Sequence, residues 1–222
     1  LRAAGAWGVA LDTLDSAVLG VISRLGLPVV MVNAWEETVR VDAVVQDDYL
    51  GGFMAAQHLV ESGVKRIAWI GPSGGHCHAR QRYAGAVAGL RAAGRELDPE
   101  LCVDGAGAEF HAGTRQLLGS KRRPDGILAL WTGPAKAVSS VSKDLGLVPG
   151  RDFRMVGWCV EELYESRYAI LFRAGPPPPA ITWKAGTMAQ RALTALTERR
   201  AQPGGDAVRV SVAVRLREGD EE

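Results

Sequence analysis

The sequence predicts an α/β protein whose parallel sheets are covered by helices on both faces. Three observations carry that expectation. Its short strand-like runs are apolar at every position rather than at alternate ones, the pattern of strands buried on both faces. Amphipathic helical stretches alternate with these runs, which is the rhythm of right-handed β-α-β crossovers. Glycines (Gly26, Gly63, Gly94, Gly146) follow the helical stretches, where a left-handed residue ends a helix without a steric penalty.

Taken in order, "GVAL" (8–11) and "PVVMVN" (28–33) read as buried strands, and "SAVLGVISRLG" (16–26) as the helix between them. "AVVQDD" (43–48) ends a further strand. In "VVQDDYLGGFMAAQHLVESGVKRIAWIGP" (44–72), Leu50, Phe53, Ala56, Leu59 and Val60 share one helical face, and "RIAWIG" (66–71) is the next strand. A helix around Tyr83, Ala86, Val87 and Leu90 follows, then a candidate helix over 110–118. "GILALW" (126–131) is a strand, 134–145 a helix and "FRMVGW" (153–158) a strand. "GPPPPA" (175–180) is a stiff extended connector, because proline fixes φ and has no amide donor. After a helix over 186–198, "VRVSVAVRL" (208–216) alternates strictly and reads as one half-exposed edge strand, with "REGDEE" as a frayed tail.

Composition bounds the function. Of 222 residues, 47% are apolar and 23% charged, as in ordinary globular domains. A formal net charge of +1 offers no field for nucleic acid; the "KRR" run (121–123) reads as solvated surface. Apolar runs such as Pro28 to Val32 fall far short of the ~20 residues that cross a bilayer. Three cysteines without a CxxC pair argue against a disulfide framework and for a reducing cytoplasm. A chain beginning at Leu1 reads as a piece of something longer.

Two motifs point toward chemistry. "GPSGG" (71–75) fits the G-x-S-x-G nucleophile elbow around Ser73, between a strand and a helix. His111 is the last histidine in the chain, however, so no late base completes a triad, and no catalytic residue is assigned. "GGHCHAR" (74–80) groups two imidazoles and a thiol, all zinc ligands. Adjacent residues of an extended chain point apart and no fourth ligand is evident, so no metal is assigned. Neither a GxxxxGK[ST] nor a GxGxxG fingerprint occurs, and no cofactor is expected.

The 44–72 stretch, "RYAG" (82–85), "LGLVPGRDFRMVGW" (145–158) and the proline connector before a helix together resemble the effector-binding domain of lactose/galactose-repressor-type (LacI/GalR) transcription regulators. The resemblance covers nearly the whole chain. It implies the type I periplasmic-binding-protein fold: two Rossmann-like lobes, the first incomplete here, with ligand in the cleft between them. The lobes would comprise 1–62 with 177–204 and 63–176 with 205–218, leaving 219–222 as tail. It further implies a carbohydrate-like small-molecule effector, a homodimer, and DNA contacts only through a helix-turn-helix outside this chain.

By the same resemblance Arg82 stands where family members bind effector hydroxyls or carboxylates, which suits the guanidinium fork. Trp131 and Thr132 replace a usual Asn-Asp pair, and Cys159 with Val160 replaces two acids; a tryptophan can still stack on a sugar or base face. Strand ends and the loop before Arg82 add Asn33, Asp47, His76 and His78 as candidate ligand contacts, with Asp47 also suited to capping a turn. Three alternatives remain open at this point: a transport-type sugar-binding protein, a degenerate sensor kept as a dimerisation domain, and a hydrolase built on Ser73.

Overall fold

A computed structural model describes residues 5–13, 15–36, 39–173 and 175–219. The chain divides into two compact units, Leu1–Asp47 with Lys184–Ala213 and Asp48–Trp183 with Val214–Glu222, and passes from one to the other three times.

Unit 1 is a four-stranded parallel sheet in the order β1-β2-β3-β9, formed by β1 (Val9–Leu11), β2 (Val29–Val32), β3 (Asp42–Gln46) and β9 (Arg209–Val212). Helix α1 (Ser16–Ser23) starts at Asp15, whose carboxylate accepts from the amides of Ala17 and Val18. Helix α6 (Ala185–Ala201) buries Met188, Ala192, Ala195 and Leu196 and packs on β2 and β3.

Unit 2 is a six-stranded sheet in the order β10-β8-β7-β6-β4-β5. Its strands are β4 (Ile67–Ile70), β5 (Cys102–Val103), β6 (Gly126–Ala129), β7 (Arg154–Val160), β8 (Ala180–Trp183) and β10 (Arg215–Arg217). All neighbours are parallel except β10 with β8. One face carries α2 (Asp48–Glu61) and α3 (Cys77–Ala92); α4 (Ala108–Gly119) and α5 (Thr132–Asp144) pack together over the other, around Phe110, Val138, Val141 and Met155. The four expected helix-stopping glycines all have positive φ, from 60° at Gly26 to 78° at Gly63.

Several sequence expectations are corrected. Residues 208–216 are not one edge strand: the stretch breaks at Ala213–Val214, and its halves join two sheets, β9 parallel to β3 and β10 antiparallel to β8. The proline connector, expected over 175–180, gives way at Ala180 to a strand that was not expected: Ala180–Trp183 is the buried strand β8, paired on both sides. Helix α2, read as part of the first lobe, belongs to unit 2, where its glycines admit α3 at backbone distance. A Cβ on Gly52 would overlap the carbonyl of Arg82, and one on Gly85 that of Tyr49; one on Gly89 would lie 2.7 Å from the Phe53 carbonyl oxygen. Residues 220–222 of the expected tail lie outside the described residues. Among the described residues no helix is long and apolar enough to cross a membrane.

Candidate functional site

In an open parallel sheet, the carboxyl ends of the strands are where loops and helix N-termini converge. At this edge of unit 2, β4 leads through 71–76 into α3, and β6 leads through Trp131 into α5. Helix α3 presents His78 and Arg82 one turn apart on one face. Helix α2, parallel and in backbone contact with it, begins at Asp48.

Asp48 joins the two. Its Oδ1 accepts from Arg82 Nε at 2.6 Å, and its Oδ2 is hydrogen-bonded to His78 Nδ1. All three side chains are buried, with Arg82 1% and Asp48 4% exposed. Burial pushes the Asp48 carboxyl pKa up, but the Arg82 charge and the His78 hydrogen bond outweigh it, so the net shift is downward.

The Arg82 guanidinium lies 5.7 Å from the ring centre of Trp158 and 5.2 Å from that of Trp183, a cation–π pairing on two sides. Its Nη1 and the Trp158 Nε1 are buried donors without a hydrogen-bond partner among the described residues. Such donors suit a molecule that brings acceptors.

Above this core, exposed His76 stacks on His78 with ring centres 4.9 Å apart and meets Trp131 edge-on at 6.1 Å. Trp131 has φ 62° and ψ 176°, a region nearly reserved for glycine. Thr132 is exposed at the first position of α5. His76, Cys77 and His78 do not form a continuous extended run: His76 is the extended N-cap of α3, and Cys77 and His78 open the helix, where successive side chains fan by about 100°. Their nitrogen and sulfur donors all lie within 4.8 Å of one another.

The structure therefore brings Arg82, His76, His78 and Trp131 together in unit 2, with Thr132 beside Trp131. Asn33 and Asp47 belong to unit 1. Asn33, at φ 57° after β2, donates from Nδ2 to Asp12 at 3.4 Å; the Asp47 amide donates to the Val212 carbonyl.

Cys159 is not brought to this group. It sits 6% exposed in the unit 2 core with Tyr164, Tyr168 and Phe172, and burial pushes its thiol pKa up to about 11. Ser73 Oγ donates to Asp104 Oδ2 at 2.6 Å rather than to a histidine. Asp48 and Trp183 are not among the candidates read from the sequence, and Trp158, which ends an apolar strand, is buried as a core residue beside Arg82. The signal that could have found Asp48 is the i, i+4 pair His78 and Arg82, two basic groups that need a buried acid if their helix is covered.

A family profile described as "Periplasmic binding protein-like domain" matches residues 56–220, and one described as "Periplasmic binding proteins and sugar binding domain of LacI family" matches residues 1–106. The HTH-type transcriptional repressor PurR of Mannheimia succiniciproducens is 25% identical over 190 residues, 85% of this chain and 54% of the relative. The HTH-type transcriptional regulator RegA of Clostridium saccharobutylicum is 24% identical over 192 residues, 85% of this chain and 57% of the relative. The chain thus spans about half the length of the curated relatives it matches. Among solved structures, the transcriptional regulator CelR–cellobiose complex is similar with a TM-score of 0.79 at 25% identity, over 95% of this chain and 64% of that one. With the first profile covering well over half of its residues, the chain belongs to the periplasmic binding protein-like domain family, in the form carried by LacI-type regulators.

Proposed function

We propose that this chain is the small-molecule sensing domain of a cytoplasmic transcription regulator and that it performs no catalysis itself. Arg82 is the observation that carries the reading. An arginine 1% exposed, anchored through Nε and flanked by two indoles, keeps Nη1 for an acceptor that the protein does not supply. A carbohydrate-like effector meets that demand, with hydroxyl or carboxylate oxygens for the guanidinium and an apolar face for Trp131. The names of the relatives support a transcription regulator, and the cellobiose of the CelR complex supports a carbohydrate-like effector. Effector binding then biases a homodimer's DNA-reading segments, which lie outside this chain, through its different affinity for two conformations.

The test is a thermal-shift screen against sugars, sugar acids, phosphosugars and nucleosides. Arg82→Lys keeps the buried charge, and Trp131→Ala removes the ring. A ligand that raises the melting temperature of the wild type and loses its effect in both variants supports the reading. A hit indifferent to both, or no hit with all three proteins folded, overturns it and favours a domain kept for dimerisation.

A further inference from the structure

We propose that His76, Cys77 and His78 form a binding site for a zinc-class divalent cation, next to Arg82 and sharing Asp48 with it. The donor set is one thiolate and two imidazoles, the ligands zinc takes most readily. Cys77 Sγ lies 3.7 Å from His76 Nδ1; sulfur and nitrogen on one tetrahedral zinc are about 3.6 Å apart. All three donor atoms lie within 4.8 Å of one another, and His76 is exposed.

Cys77 and His78 are already fixed, at 0% and 3% exposed. Asp48 supplies the outer shell: its Oδ2 engages His78 Nδ1, so that the metal would be taken on Nε2, as in carboxylate–histidine–zinc arrangements. Three protein ligands leave a fourth position for water or a small donor molecule. On coordination the Cys77 thiol releases one proton to solvent and binds as thiolate.

The test uses Co2+ as a spectroscopic probe and Zn2+ as competitor, on chelator-treated protein. Expected are one Co2+ per chain, a thiolate-to-cobalt charge-transfer band, its removal by one equivalent of Zn2+, and one proton released per ion. Cys77→Ser should abolish the band. His76→Ala changes an exposed ring, so it should weaken Co2+ binding at least tenfold while leaving the metal-free melting temperature unchanged. No band in the wild type, or a band of full strength in Cys77→Ser, overturns the site.

Discussion

Arg82 and Asp48 show how much one buried charge depends on its partner. Taking Arg82 away leaves the buried Asp48 carboxylate to its His78 hydrogen bond, and breaking comparable buried pairs costs about 3–5 kcal/mol. Arg82→Met should therefore lose about that much in urea unfolding, and Asp48→Asn added to it should restore part, because neither charge is then left alone. Trp131 is strained where Arg82 is anchored. With φ at 62° and ψ near 180°, any side chain pays at this position, so Trp131→Gly should be about 1 kcal/mol more stable than Trp131→Ala. Arg82 was legible in the sequence because a motif surrounds it, whereas Asp48 was not, since "DD" before a helix reads equally well as a turn. Trp158 and Cys159 show a different limit. Strand β7 is apolar on both faces, so its pattern left the pleat's parity open; Cys159 takes the α4–α5 side and Trp158 the α2–α3 side.

Among the elements, the α2–α3 pair rests on glycines whose missing side chains let two backbones meet. Gly85→Ala drives a methyl into the Tyr49 carbonyl and should cost about 2–3 kcal/mol, read as a lower urea midpoint. Gly20→Ala makes the opposite prediction. It lies within α1 with nothing within 4 Å of its would-be Cβ, so the same chemical change should stabilise by roughly 0.5–1 kcal/mol. The long apolar helices and strands were legible because periodicity accumulates over many residues. Strand β8 was not: four residues after a proline run carry no period of their own, and its burial comes from neighbours on both sides. The split between β9 and β10 was hidden for the converse reason, since Val210, Val212, Val214 and Leu216 keep perfect alternation through a break that only tertiary structure imposes.

Across the whole molecule, unit 1 is closed by contacts between distant parts of the chain. Asp42, at the start of β3, accepts from Arg199 Nε at 2.8 Å and Nη2 at 2.6 Å, and from the Val208 amide at 2.8 Å. Burial pushes its carboxyl pKa up, but these hydrogen bonds and the Arg199 charge outweigh it, so its pKa is lowered from the usual 3.8. A folded pKa below the unfolded one gives stability that is present above about pH 4 and lost as pH falls through the folded value. Asp42→Asn should therefore be less stable than the wild type at neutral pH, and the gap in urea midpoint should narrow as pH falls toward 3. The parallel α/β character was legible in the alternating elements and the division into two lobes only in the family resemblance; which residues return to which sheet was not legible, because that depends on pairings across more than 160 residues of sequence. Residues 209–217 have a consequence for biosynthesis. Each sheet takes an edge strand from this one short thread, so neither can be completed until the chain through residue 217 has left the ribosome. A nascent chain stalled at Gly205 would hold two unfinished sheets at once, each waiting for the edge strand that residues 209–217 supply.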